Sequence, residues 1–140
     1  MSCVLETCVR MAWHADHREW AALETVFAPT VRMDYTSLYG GSPQEMTAAE
    51  LVAGWRDGLS RFRLTQHLTA NYLVQERTAT AATVVAAVQS THEAPNDRGA
   101  PVWRIGGDFR FELTAEDGDW RIRAITFDLA WAEGNRALLG

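Results

Sequence analysis

The second half of the chain alternates between apolar and polar side chains, as strands do when one face of a sheet is buried. Across 103–113 the odd positions are apolar or glycine, and the even positions are mostly charged. A second alternation begins on even positions at 120–122 but continues on odd positions from Ile125 to Trp131. A strand that changes parity must contain a bulge or a strong bend, so we predict one near Ala124.

The first sixty residues follow a helical period instead. Apolar residues recur on one side of 4–12, and Ser2 is well placed to cap this first helix. We predict a second helix over 20–27 that ends at Pro29, because proline cannot continue a helix. These two helices form the start of the predicted core layer.

A short strand and a third helix follow. The apolar residues of 31–35 share one face of a strand, which points Tyr35 toward the core and Asp34 away from it. After a loop with two glycines and a proline, Thr47 and Glu50 have the spacing of a capping box. This order of elements predicts the α+β class, with about three N-terminal helices packed on a curved, mainly antiparallel sheet.

Composition narrows the class of partner. The chain has 140 residues, 47% of them hydrophobic and 22% charged, with a net charge of −5. We expect one globular domain over residues 1–140 and no binding to nucleic acid or anionic lipid. No apolar run is long enough to span a bilayer and no signal-peptide pattern is visible, so we expect a cytoplasmic protein. Cys3 and Cys8 point to different sides of a helix, which disfavours a disulfide.

Two histidines in the strand region are the first candidates for chemistry. His67 ends a Thr-Gln-His sequence and His92 ends a Ser-Thr-His sequence, and imidazole changes charge near neutral pH. We predict a turn near Glu76 and Arg77, and a hairpin centred on Arg77 puts His67 opposite Ala87. His92 is then an odd number of residues away, so the two rings share a pocket only if one strand contains a bulge. The alternative for His92 is a surface position at a strand end.

Two residues from the first half complete the candidate set. Asp16 lies between Trp13 and Trp20 on a helical wheel, so it either caps the second helix or is buried with a hydrogen-bonded partner. A histidine is a natural partner, because a carboxylate orients the ring and stabilises its charged form. Tyr35 is either a core tyrosine or a donor in the pocket. Metal binding by both histidines and Asp16 is a weaker alternative, and we expect neither a metal nor a cofactor.

Several short motifs, taken in order, resemble the nuclear transport factor 2-like superfamily, in its SnoaL-like and scytalone dehydratase-like branch. The resemblance covers nearly the whole chain, and it implies a cone-shaped α+β barrel around an apolar pocket. It also implies a homodimer, which is common in this superfamily. The motifs that carry it are Asp16 to Trp20, Arg32 to Tyr35, Thr65 to His67, Asp117 to Trp120 and Trp131 to Glu133.

The same resemblance implies specific roles for residues of this chain. Ala15 stands where the dehydratase has a second tyrosine, and Gly107 and Phe109 stand where it has a serine and an asparagine that contact substrate. The acid–base set is thus retained while polar contacts to the substrate are lost. The residues that match the dehydratase's catalytic Asp, one of its tyrosines and its two histidines are Asp16, Tyr35, His67 and His92.

We therefore expect an acid–base enzyme that acts on a small, mostly apolar, polyketide- or terpenoid-like molecule. Loss of water after proton removal next to a carbonyl is the leading reaction, and isomerisation or ring closure is the next. Epoxide opening and a non-catalytic ligand-binding or dimerisation module are the alternatives. A buried Asp16 bonded to a pocket histidine favours the enzyme, whereas a pocket filled with Trp and Phe favours the module. The expected substrate contacts are Tyr39, Trp55, Asn71, Gly107, Phe109 and Phe127.

Overall fold

Helices cover one face of a long, curved sheet in the computed structural model, which describes residues 3–139. Within this range, four helices and two strands come first, and four long strands then follow. In chain order they are α1 (Val4–Asp16), α2 (Trp20–Glu24), β1 (Phe27–Asp34), α3 (Thr36–Tyr39), β2 (Gln44–Thr47), α4 (Ala48–Leu59), β3 (Leu64–Arg77), β4 (Ala81–Glu93), β5 (Val102–Glu116), β6 (Asp119–Gly134) and a 3-10 turn (Arg136–Leu139).

Within residues 3–139, six strands form one sheet in the order β2-β1-β6-β5-β4-β3. β1 runs parallel to β6, and every other neighbouring pair is antiparallel. The two edge strands, β2 and β3, do not pair with each other among the described residues, so the sheet is open. This confirms the predicted α+β class with a curved, mainly antiparallel sheet. None of the helices in this part of the chain is long and apolar enough to cross a membrane.

Local capping signals define two helix starts. The predicted cap, Ser2, lies outside the described residues, and the sulfur of Cys3 accepts a hydrogen bond from the Glu6 amide at 3.3 Å. The capping box at α4 is confirmed, because the Glu50 amide donates to Thr47 Oγ1 at 3.1 Å and the Glu50 carboxylate accepts from the Thr47 amide at 3.4 Å. α4 therefore begins where the sequence predicts.

The second helix is shorter than predicted. α2 ends at Glu24, and both the buried Phe27 and the exposed Pro29 belong to β1. Proline is tolerated there because the pairing of β1 with β6 is irregular between Phe27 and Arg32, so the missing amide interrupts no regular ladder. The elements α3 and β2 flank the predicted loop of 39–43, of which only Tyr39 belongs to an element. Tyr35 lies just past the end of β1, at the start of α3.

The β3–β4 hairpin turns later than predicted. Its turn is at 78–80, whereas Glu76 and Arg77 are the last paired residues of β3. The Thr78 amide donates to the Ala81 carbonyl at 2.8 Å, and the Thr78 hydroxyl accepts from the Ala81 amide at 3.0 Å. A threonine side chain thus closes the turn, and the two charged residues before it are exposed strand residues.

The register of this hairpin brings the two histidines to one face of the sheet. β3 contains two register shifts, in 70–73 and in 74–76, and together they leave the parity unchanged. His67 pairs with Ser90, so His92 lies an even number of residues from the partner of His67. The parity conflict is therefore resolved by the true position of the turn and not by a bulge beside the histidines.

β6 contains the bulge predicted near Ala124. Arg123 is the extra residue there, and the parity of the buried side chains changes across it. A second shift, which the sequence did not predict, makes Ala130 an extra residue. It turns Trp131 onto the outer face, where its ring covers Gly106 and leaves no room for a side chain at that position. The expectation that Trp131 points inward is wrong for this reason.

Candidate active site

A cavity of about 380 Å³ lies between α1, α3, α4 and the inner face of β3 to β6. This volume is in the range of pockets that hold small organic ligands. Most of its wall is aromatic or aliphatic; two histidines and a serine lie on β3 and β4, and two tyrosines and an arginine add polar groups elsewhere. The predicted site residues that line it are Tyr35, Tyr39, Trp55, His67, His92, Phe109 and Phe127.

The carboxylate of Asp16, the last residue of α1, is tied to β3. Its Oδ2 accepts a hydrogen bond from the His67 amide at 2.7 Å, and its Oδ1 lies 2.7 Å from His67 Nδ1. The Thr65 hydroxyl donates to the same Oδ1 at 3.2 Å. Glu19, and not Asp16, is the residue that precedes α2, so the capping role does not apply.

This contact defines the chemistry of the His67 ring. An ionised carboxylate only accepts hydrogen bonds, so in the neutral His67 ring the proton is on Nδ1 and the lone pair is on Nε2. The side chains of Asp16 and His67 are 11% and 19% exposed, so the pair is largely enclosed, and His67 is the member that lines the cavity. The arrangement can accept a proton at Nε2 and stabilise the resulting charge.

His92 is the more enclosed of the two histidines. Its ring lies 5.8 Å from that of His67, centroid to centroid and edge-on, and it packs against Phe62 at 5.0 Å and Trp103 at 5.1 Å. Its Nδ1 lies 3.3 Å from the Trp103 carbonyl, which can only accept a hydrogen bond. Burial, with a smaller contribution from His67, lowers the pKa of His92 to about 4. The ring is therefore neutral at neutral pH.

Tyr35 approaches the cavity from the opposite wall. Its ring stacks on Phe127 at 5.7 Å and meets Phe109 edge-on at 6.4 Å. Burial, followed by the proximity of Tyr39, raises the pKa of Tyr35, so its hydroxyl stays protonated. Within residues 3–139 no protein group hydrogen-bonds this hydroxyl, which leaves it available as a donor.

The rim of the cavity is partly polar. Tyr39 is 65% exposed, and partial desolvation of its hydroxyl by the surrounding protein raises its pKa against the opposing effects of Arg61 and Arg136. Arg61 lines the same rim, and Trp55 packs edge-on against Phe27 at 5.8 Å. A ligand that enters here therefore passes aromatic side chains and a guanidinium before it reaches the histidines.

Two of the expected substrate contacts do not line the cavity. Asn71 is exposed and lies in the first register shift of β3, with a φ of 53° that asparagine tolerates better than most residues. Gly107 is close to the Asp128 carbonyl and the Phe127 ring, which occupy the space of any side chain there. We correct both expectations: one residue belongs to a bulge, and the other allows two strands to approach closely.

Several residues of the site were missed at first. Thr65 and Ser90 are 5% and 3% exposed, and they lie two residues before His67 and His92, respectively, on the inner face of the sheet. The signal was present, because Thr-x-His and Ser-x-His place two polar side chains on one face of a strand. Phe62 and Trp103, which enclose His92, were not among the predicted site residues.

The polar groups do not form a metal site. Among the residues that the structure describes, no three His, Cys, Asp or Glu side chains are arranged to hold a metal ion. Asp16 already accepts three hydrogen bonds, and the Nδ1 atom of His92 faces a backbone carbonyl. The donor set therefore does not fit the two-histidine, one-carboxylate arrangement.

Comparisons with known proteins agree with this fold. A family model for the SnoaL-like domain matches residues 1–126, and no curated protein matches the chain. The Kfla4162 protein from Kribbella flavida superposes with a TM-score of 0.90 at 24% identity, over 96% of this chain and 93% of that one. A provisionally named scytalone dehydratase from Novosphingobium aromaticivorans gives 0.79 at 16% identity, over 95% and 85%. A hexachlorocyclohexane dehydrochlorinase, LinA type 2, gives 0.75 at 12%, over 94% and 86%.

Proposed function

This chain belongs to the SnoaL-like domain family, and from that premise we propose that it is an acid–base enzyme. Its reaction removes a proton from carbon in a small, mostly apolar, polyketide- or terpenoid-like molecule and then expels water. Side chains alone supply the acid and the base. The observation that carries the proposal is the 2.7 Å contact between Asp16 Oδ1 and His67 Nδ1 at the edge of an apolar cavity.

Each polar group has a role in this reaction. Nε2 of His67 takes the proton from the carbon next to a carbonyl, and Asp16 stabilises the imidazolium that forms. The Tyr35 hydroxyl donates a hydrogen bond to the oxygen that becomes negative. The carbon–oxygen bond of the neighbouring hydroxyl then breaks, and the proton on His67 leaves with that oxygen as water. His92, which is neutral, completes the wall beside the base.

The other reactions that we considered share parts of this site. Isomerisation or ring closure begins with the same proton transfer and differs only in where the enol reacts next. Epoxide opening by water favours a second carboxylate, and no Asp or Glu is among the described residues that line the cavity. Ligand binding alone does not require a carboxylate that orients a cavity histidine. The Asp16–His67 pair therefore favours the enzyme over a purely ligand-binding module.

A generic proton-transfer probe tests this proposal without the natural substrate. The ring of 5-nitrobenzisoxazole opens when a base removes its carbon-bound proton, the nitrogen–oxygen bond breaks, and a coloured phenolate forms. The compound is a flat, mostly apolar bicycle, which suits the aromatic cavity. We expect the wild-type protein to open it, and His67→Ala to lose about a hundredfold or more of that rate.

The matched control is His17→Ala, because His17 is an exposed histidine that stacks on Trp13 at 4.0 Å and does not line the cavity. This variant should keep the wild-type rate. Equal rates for His67→Ala and His17→Ala would contradict the proposal, as would a wild-type rate no higher than that of free imidazole at the same concentration.

A further inference from the structure

The inner end of the cavity carries a hydroxyl that the proposed reaction has not yet used. Ser90 lines the cavity and is only 3% exposed. Within residues 3–139 no protein group hydrogen-bonds its hydroxyl, whereas every fully enclosed side-chain oxygen or nitrogen there has a partner. The Ser90 oxygen is therefore not sealed in the core but reaches the cavity.

Its neighbours are fixed by the register of three strands. Ser90 is paired with His67 on β3 and with Ile105 on β5, and His92 follows two residues later on the same face of β4. Directly paired residues have their Cβ atoms about 5 Å apart, so the hydroxyl lies beside the His67 ring. Earlier inward positions of β4, such as Val88 and Val84, are apolar. Ser90 thus marks the point where the apolar wall becomes polar.

We propose that Ser90 is a specificity-determining residue whose hydroxyl binds a hydroxyl or carbonyl oxygen of the substrate between the His67 and His92 rings. The site then selects oxygenated molecules, such as alcohols and ketones, over hydrocarbons or halides of the same shape. The inference rests on the proposed function for the identity of the cavity as the reaction site.

The selection has a simple physical origin. A serine hydroxyl both donates and accepts, and a ligand oxygen satisfies it, whereas a methyl group or a halogen leaves it without a good partner. Sites built around such a group discriminate strongly against analogues that lack the matching polar atom. In the proposed dehydration, Ser90 holds the leaving hydroxyl beside the base, where His67 returns its proton.

Two ligands of nearly equal shape test the assignment by equilibrium dialysis. They are 2-naphthol, which carries a hydroxyl, and 2-methylnaphthalene, which carries a methyl group in its place. We expect the wild-type protein to bind 2-naphthol about tenfold more tightly than its methyl analogue. Ser90→Ala should bring this ratio close to one, mainly through weaker binding of 2-naphthol.

The matched control is Thr91→Val, which removes a hydroxyl from the next residue of β4 on the opposite face, outside the cavity. It should keep the wild-type ratio. Ser90→Cys, a variant of nearly unchanged volume with a weak donor, should behave like Ser90→Ala. An unchanged ratio in both Ser90 variants, or a wild-type protein that binds both ligands equally or neither, overturns the inference. Because dialysis needs no turnover, this result is separate from the His67→Ala test of catalysis.

Discussion

His67 and His92 carry the same side chain on neighbouring strands, with ring centres 5.8 Å apart, yet they have different partners. His67 meets the carboxylate of Asp16 at 2.7 Å, so a proton on its ring has a negative counter-charge. His92 meets the carbonyl of Trp103 at 3.3 Å, but its burial against Phe62 and the Trp103 ring outweighs that contact and disfavours a charged ring. The partner and the enclosure of each ring, not the imidazole itself, therefore decide which of the two histidines is able to act as a base.

Strand position accounts for the difference. β3 is an edge strand, so the end of α1 can approach it and place Asp16 against the amide and ring of His67. β4 lies between β3 and β5, and both of its sides are occupied by paired strands. A side chain on the inner face of β4 can therefore meet only what the core offers, which at His92 is two aromatic rings and a carbonyl.

Removal of the negative charge beside His67 should have the largest effect, because it makes the two histidines alike. An amide at position 16 cannot stabilise an imidazolium, and it can donate to Nδ1 and so favour the wrong tautomer. We expect Asp16→Asn to lower the rate of 5-nitrobenzisoxazole opening by about a hundredfold. Steady-state kinetics measure this, and a loss of less than about threefold would show that the pair is only structural.

The enclosure of His92 predicts a pH-dependent stability. Its pKa is about 4 in the folded protein, below its ordinary value of 6.5, so the unfolded chain binds more protons between these values. The stabilisation is complete above about pH 6.5 and is lost as the pH falls toward 4. We expect the free energy of unfolding to lose roughly 3 kcal/mol from this residue over that range.

Urea denaturation at several pH values measures this loss. His92→Gln, which does not titrate, should show a shallower decrease of stability between about pH 6.5 and pH 4 than the wild-type protein. His17→Gln, a change at an exposed histidine, should follow the wild-type curve. If the free energy of unfolding changed equally with pH in all three proteins, the prediction that His92 is the enclosed, neutral histidine would be wrong.

The smallest effect should come from Thr65, which holds Asp16 without touching the cavity. Thr65→Val keeps the shape of the side chain but deletes the hydrogen bond to Asp16 Oδ1. The carboxylate keeps its two bonds to His67, so we expect a loss of only about threefold to tenfold in rate. Kinetics of this variant against Asp16→Asn show how much of the effect comes from the position of the carboxylate and how much from its charge.

The parts of the fold that were predictable are those set by local signals. The alternation in β5 and the capping box at Thr47 depend on residues close in sequence, and both are confirmed. The hairpin turn was misplaced because Thr78 closes it without glycine, proline or asparagine, so the charged residues just before it gave the stronger signal. An error of a few residues in that turn was enough to put His67 and His92 on opposite faces.

The site itself depends on contacts that no local pattern contains. The acid–base chemistry of Asp and His side chains, together with the family resemblance, suggested Asp16 and His67. Their contact joins the end of a helix to an edge strand, so only the tertiary structure defines it. Ser90 shows the same limit, because a buried serine on a strand has the same sequence pattern whether it is bonded in the core or faces a cavity. The single domain over residues 1–140 and the homodimer stay predictions.

The position of Asp16 at the very end of α1 couples two properties of the protein. The same helix supplies part of the cavity wall through Met11, Ala12 and Ala15, and its last residue holds the His67 ring. If α1 separates from the sheet, the cavity opens to solvent and the His67 ring loses its counter-ion in the same event. Closure of the cavity and orientation of the proposed base therefore both depend on the docking of α1, and any ligand that stabilises the docked helix also keeps His67 oriented.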